Sequence, residues 1–247
     1  MASRFDRAVE ISTDSFPLPL VPFVATLLSV SKVARALATG GGGGVTFPFP
    51  TGLPTLWTYV SLPNGDGGVS LGGPLSLVAF LPLFLVGLLV TSALEAGLLG
   101  SLQHRIDDEP LVFTESVRRF TLRMVGVNLV RMATVVVALP FFVFPPLAVV
   151  VMVTVSYLVY GLPFELVVHD APLGTALEST VSRALDGGDY ASFGVAHLLA
   201  GGVASIFVTG FVRNAGVLGI LAGAALVAVP AVFVTTYGLL VFRNFEA

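Results

Sequence analysis

Residues 169–189 read HDAPLGTALESTVSRALDGGD. The stretch holds four acids, an arginine, a Thr-x-x-Glu spacing that suits a helix cap, and a diglycine near its end. On its own it is a short helix for an aqueous surface. The runs on either side, residues 146–168 and 193–211, are almost wholly apolar. Each has about the length that crosses the ~30 Å hydrocarbon core of a bilayer. Both readings hold at once if the polar helix lies at a membrane surface, joining one crossing to the next.

Working outward, the same logic divides the rest of the chain. Of its 247 residues, 55% are hydrophobic and only 11% charged, and the mean hydropathy is +0.94. A soluble domain carries about 25% charged residues, so this chain has too few to cover a water-facing surface. Six spans are expected, at residues 16–33, 75–99, 124–144, 146–168, 193–211 and 217–241. The junctions near Phe144–Pro146 and Arg213–Asn214 are short enough to be tight helical hairpins. Pro82 and Pro230 are expected to kink their spans.

The polar stretch has a counterpart. DEPLVFTESVRR (108–119) and DAPLGTALESTVSR (170–183) both run Asp-x-Pro-Leu, Thr, Glu-Ser and a basic residue, 62 positions apart. Each follows one span and precedes another. In the later copy Leu177, Val181, Ala184 and Leu185 share a face; in the earlier one Phe113, Val117, Phe120 and Met124 do. Arg118, Arg119, Arg123 and Arg183 then point toward water and lipid phosphates. The N-terminus fits the scheme, with Ser3 and Asp6 as a cap and Phe5, Ala8 and Val9 on one face. The expected fold is all-α: a polytopic bundle of six transmembrane helices with short cytoplasmic interfacial helices. It would be a single membrane domain of three parallel repeats, residues 1–107, 108–169 and 170–247.

Orientation follows from the basic residues. Arg4, Arg7, Arg105, Arg118, Arg119, Arg123, Arg183 and Arg243 fall on one side, and Lys32, Arg35 and Arg213 on the other. The richer side is normally cytoplasmic, so a multi-pass cell-membrane protein with both termini cytoplasmic is expected. Asp6, Glu10 and Asp14 come before any apolar run, which does not suit a cleaved signal peptide. An outer loop, 40–73, carries glycines, prolines, Phe47, Phe49, Trp57 and Tyr59. Its composition suits a loop resting on the bilayer or capping the bundle, or a lid. PNGDGG (63–68) reads as a turn.

Charges in lipid are costly and usually face the bundle. Glu95 falls in the inner third of span two. Arg131 falls about two turns into span three, with Asn128 one turn below on the same face. Glu165 lies near the inner end of span four and His197 early in span five. An Arg131–Glu95 ion pair is expected, with Glu165 as the alternate partner. It would either fix helix order or form a polar site in a cavity. HRIDDE (104–109) gathers a histidine and carboxylates but lacks metal-ligand spacing, so no metal is expected. With no cysteine and no nucleophile elbow, phosphate loop or dinucleotide fingerprint, neither a cofactor nor an enzymatic activity is expected. The basic residues are too dispersed for nucleic acid.

At VVHDAPLGTALESTVSRALDGG (167–188) the chain resembles a broad group of bacterial and archaeal membrane proteins. They include the membrane domain attached to some glycerophosphoryl diester phosphodiesterases and many six-span proteins, several from haloarchaea. The shared element is an acidic residue after a span, then a short helix with acidic and serine positions, here Asp170, Glu178 and Ser179. The resemblance implies six helices with cytoplasmic interfacial helices. It implies no catalytic residues, because the phosphodiesterase chemistry belongs to a separate soluble domain for which this chain has no room. The expected function is a scaffold or accessory protein in envelope, lipid or transport processes. Its partners would be membrane lipids and a membrane protein or a second copy of itself. The alternative is a transporter or flippase for a small or lipid-like substrate. A polar cavity lined by Glu95 and Arg131 would favour the alternative; a closed apolar core would favour the scaffold.

Overall fold

The regular structure is helical throughout the residues described by this computed structural model, which are 3–39, 41–62 and 74–243, with 74–80 as backbone alone. The PNGDGG turn and Asp66 lie outside them. In chain order the helices are α1 (Arg4–Asp14), α2 (Leu20–Leu28), α3 (Val30–Ala38), α4 (Leu56–Tyr59), α5 (Pro74–Ile106), α6 (Phe113–Ala138), α7 (Pro145–Val159), α8 (Leu162–Val168), α9 (Leu173–Asp186) and α10 (Gly188–Arg243). Four stretches are long and apolar enough to cross a membrane: Leu81–Ile106, Phe113–Val143, Pro145–Val168 and Gly188–Arg243. The bent pair α2 and α3 makes a fifth if counted together. The molecule is an all-α, membrane-spanning helical bundle.

The 56 residues of α10 do not form one rod. Gly216 sits at φ 57°, ψ −134°, where a side chain is strained, and the chain reverses there. The rings of Phe193 and Tyr237 are 5.7 Å apart, whereas a straight helix would separate those positions by about 66 Å. The turn thus falls just after Arg213–Asn214. A Cβ on Gly219 would come within 2.9 Å of the Ala215 Cβ, and one on Gly223 within 3.1 Å of Val212 and Leu56. The Gly-x-x-x-Gly spacing serves this hairpin and the loop packed on it. A second reversal, through a 3-10 turn at Leu139–Val143, joins α6 to α7.

One end of the bundle gathers the charges. The N-terminal cap of α1 forms as a reciprocal box between Ser3 and Asp6. Arg7 reaches Asp108, Arg4 reaches Asp189 at 2.6 Å, and Arg243 reaches Asp107 at 2.7 Å. Arg119 and Arg123 close on Asp170 at 2.7 and 2.6 Å. The hydrogen bond from Arg119, with that from Arg123, holds the Asp170 carboxyl below its ordinary value, which favours the ionised form of this latch. Asp108 and Asp170, equivalent in the two similar stretches, both adopt positive φ, 61° and 49°. That conformation suits Asp, whose short side chain tolerates it.

Several boundaries differ from the sequence reading. The 16–33 span is broken at Ser29, where α2 and α3 bend by 68°. The earlier polar stretch is no separate interfacial helix: α6 runs unbroken from Phe113 into the span, because no diglycine follows Arg123 and the single Gly126 keeps a helical backbone. The later one is separate, since Gly187 and Gly188 both take positive φ between α9 and α10. Helix α9 starts at Leu173, behind Pro172, so Thr175 does not cap it. Its buried face is Ala176, Thr180 and Ala184, and Leu185 is exposed.

The largest difference is the outer loop. Residues 41–62 are more than a cover over the end of the bundle; they enter it. Gly41 N–H donates to the Arg213 carbonyl, Thr46 N–H to Ser205 Oγ, and Pro48 packs where a Gly201 side chain would be. Residues 201 to 213 span about 18 Å of helix, more than half of a ~30 Å core. Below that, Phe49 stacks on Tyr160 at 6.0 Å and Leu53 joins the main core. The segment returns through α4, where Trp57 Nε1 donates to the Thr26 carbonyl at 2.7 Å. It is a re-entrant loop. Irregular backbone at this depth is tolerated only inside protein or along a cavity, and the composition meets that demand. Pro48, Pro50 and Pro54 have no N–H to satisfy. The Thr46, Leu56 and Ser61 N–H groups are accepted by the buried hydroxyls of Ser205, Thr26 and Thr209.

Candidate functional site

The site begins with the packing of α5 on α6, the most extensively packed helix pair. Gly97 and Gly100 on α5 admit Phe113, Ser116 and Phe120 at distances a side chain would forbid. This close approach sets Glu95 on α5 against Asn128 and Arg131 on α6. Arg131 Nη1 donates to Glu95 Oε1 at 2.9 Å, to Oε2 at 3.1 Å, and to Asn128 Oδ1 at 3.1 Å. Asn128 Nδ2 donates to Ser92 Oγ at 3.1 Å and to Glu95 Oε2 at 3.3 Å. Glu95 is 1% exposed. A carboxylate so buried needs its partner, and both of its oxygens are engaged. Arg131 Nη2 is buried with no hydrogen-bond partner among the described residues.

This group floors a cavity of about 500 Å³, within the roughly 300–1,000 Å³ of small-molecule sites. The helix break contributes Ala25, Leu28, Ser29 and Lys32; the re-entrant loop contributes Thr51, Leu53, Thr55 and Thr58; α5 contributes Leu83, Val86, Val90 and Leu94. The loop touches the ion pair directly, for a Cβ on Gly52 would lie 2.6 Å from Glu95 Oε1. On its other side a second cavity of about 400 Å³ runs from Phe47 to Tyr160, and Thr51, Thr58 and Arg131 line both. The loop and the guanidinium are therefore the partition between two spaces.

The remaining sequence candidates fall elsewhere. Glu165 is not near Arg131; at the charged end its Oε1 accepts from Ser179 Oγ at 2.5 Å and pairs with Arg183 at 3.2 Å and with His169 at 3.6 Å. Arg119 and Arg123 turn to Asp170, and Arg118 is exposed beside Glu115. His197 is buried against Tyr59 and Phe193, at ring distances of 6.2 and 6.3 Å. Among the described residues no three His, Cys, Asp or Glu side chains come together as a metal set; His104 Nδ1 lies 2.5 Å from Glu109 Oε2. The sequence reading missed Thr51, Thr55, Thr58 and Lys32 as cavity residues. A signal for the loop existed: Gly201, Ser205 and Thr209 form a small, polar stripe at i, i+4, i+8 in an otherwise apolar helix, the pattern of a surface that receives backbone.

Comparison with protein-family models, with curated proteins and with solved structures gave no match.

Proposed function

We propose that this is a six-span membrane protein, with both termini cytoplasmic, that binds a small or lipid-like solute in the Glu95–Arg131 cavity and passes it across the bilayer. The six spans are the bent pair α2–α3, α5, α6, α7–α8 and the two arms of α10. Arg4, Arg7, Arg119, Arg123, Arg183 and Arg243 lie at the end taken as cytoplasmic. The observation that carries the reading is the cavity itself. A charged floor buried at membrane depth is walled on one side by a broken helix and on another by a re-entrant loop. Discontinuous helices and irregular backbone are the devices by which membrane transporters bring polar groups to the midplane. A scaffold has no use for a ~500 Å³ space beside a buried ion pair.

The test is translocation of a fluorescent lipid analogue in vesicles reconstituted with the full chain. Wild-type protein is expected to speed the exchange between leaflets. The neutral variant Glu95→Gln/Arg131→Gln, which keeps two hydrogen-bonding groups in place, is expected to slow it at least about tenfold, a loss of ~1.4 kcal/mol of substrate interaction. Wild-type vesicles no faster than protein-free ones would remove the transport reading. The scaffold or accessory role would then stand. It is favoured by the hairpin of α6 and α7, whose outer half from Val135 to Val150 is largely exposed and free to meet another membrane protein or a second copy.

A further inference from the structure

We propose that the first cavity takes an anionic amphiphile, its oxyanion head held by Arg131 and Lys32 and its chain lying along α5. This rests on the binding reading above and names its substrate class.

The charge balance comes first. Among the described residues, Arg131 and Lys32 line the cavity against a single carboxylate, Glu95. That carboxylate is already occupied, since Oε1 and Oε2 both accept Arg131 Nη1 and Oε2 also accepts Asn128. One positive charge remains. Part of it sits on Arg131 Nη2, a nitrogen buried with no hydrogen-bond partner among the described residues. Leaving such a donor unmade is costly, and a carboxylate or phosphate oxygen is the acceptor that satisfies it best. The helix break adds to the same field. Ser29 and Lys32, at the start of α3, line the wall, so α3 turns the positive end of its dipole toward the space. Thr51 Oγ1, also buried with no hydrogen-bond partner among the described residues, is a further donor beside the floor.

The opposite wall has a different character. Leu83, Val86 and Val90 line the same cavity from α5 and are exposed on the outside of the bundle, where the surrounding medium is hydrocarbon. A free oxyanion would find nothing to bind there. A molecule with an anionic head and an acyl chain matches both walls, its head on the floor and its chain leaving sideways between α2 and α5.

The head-group chemistry is shared by lipids and by free phosphate, and the experiment separates them. The full chain in detergent is titrated with dihexanoyl phosphatidylglycerol, with dihexanoyl phosphatidylcholine and with sodium phosphate. The readout is emission of Trp57, the only tryptophan, which sits between the cavity residues Thr55 and Thr58. Phosphatidylglycerol is expected to bind saturably and about tenfold more tightly than phosphatidylcholine, and phosphate only far more weakly. Lys32→Gln changes an exposed residue and leaves the fold intact. It is expected to weaken phosphatidylglycerol about fivefold and phosphatidylcholine less, because the choline cation already offsets that lipid's phosphate charge. Equal binding of the two lipids in both proteins would overturn the anionic head while leaving the cavity a lipid site. Phosphate binding as tightly as phosphatidylglycerol would overturn the amphiphile. Binding untouched by Glu95→Gln/Arg131→Gln would put the ligand outside this cavity, and the proposed function would fall with the inference.

Discussion

Arg131 makes three hydrogen bonds through Nη1 and, among the described residues, none through Nη2. The first set explains why a guanidinium survives at this depth; the second gives it work to do. Removing it alone strands a carboxylate that is 1% exposed, and breaking a buried pair from one side costs about 3–5 kcal/mol. Arg131→Leu is therefore expected to lower thermal stability in detergent by about that amount. Glu95→Gln/Arg131→Leu, which removes both charges, is expected to recover most of it. Calorimetry or Trp57 emission against temperature gives the cycle, and additive losses in the double variant would mean that the two side chains are not coupled. Glu95, Asn128 and Arg131 were legible in the sequence because charge in hydrocarbon must find a partner, and helical spacing says which residues share a face. Glu165 was not assignable in the same way. Its neighbours Ser179 and Arg183 come from α9, and only the packing of α9 on α8 shows that they meet.

At the scale of the element, the re-entrant loop depends on a few hydroxyls. Thr26, Ser205 and Thr209 are each at most 1% exposed and each accepts a backbone N–H from the loop. Replacing one by an isostere without the acceptor leaves that N–H unmade in a dry place, at about 1–3 kcal/mol. Thr209→Val, which strands the Ser61 N–H, is expected to lower the unfolding midpoint and to shift Trp57 emission to the red as α4 loosens. Val167, buried on α8 in the main core and not in the cluster that holds Trp57, supplies the control: Val167→Ala costs stability by packing alone and is expected to leave the emission wavelength unchanged. Equal emission from Thr209→Val and wild type would mean that the loop does not hang on these bonds. The composition of the loop pointed to the membrane surface because aromatic residues and prolines are at home there. Depth is decided by what receives the backbone, and that information lies about 150 residues away, in the stripe Gly201, Ser205, Thr209 of α10. The helices themselves were more legible, since hydrophobic length is a local property. The break at Ser29 was not, because it carries no signal stronger than the apolar run around it; the one at Gly161 had a signal, the Gly161 and Pro163 that open α8.

At the scale of the molecule, the charges sort to one end and the glycine-closed hairpin turn to the other. Asp107, Asp108, Asp170 and Asp189 are each held by an arginine from a different part of the chain. These pairs are half exposed and individually weak. Their joint effect is to tie α1, the start of α6, the start of α10 and its last turn to one plane, which a membrane would read as a single interface. Topology can be tested without first removing native thiols, because the chain has no cysteine. Single cysteines at the exposed positions Ser182, near Arg183 and Asp189, and Thr114, at the start of α6, are expected to react with a membrane-impermeant maleimide from the same side. Cysteines at Asn214 and Gly43, which flank the Gly216 turn and meet through Arg213, are expected to react only from the other. The positive-inside bias further requires that the first pair be protected in intact cells and exposed in inverted vesicles. Thr114 and Ser182 labelled from opposite faces would break the common interface. Both pairs reacting as expected but with inverted sidedness would leave the bundle intact and reverse its orientation, so that the arginine-rich end met the outer leaflet.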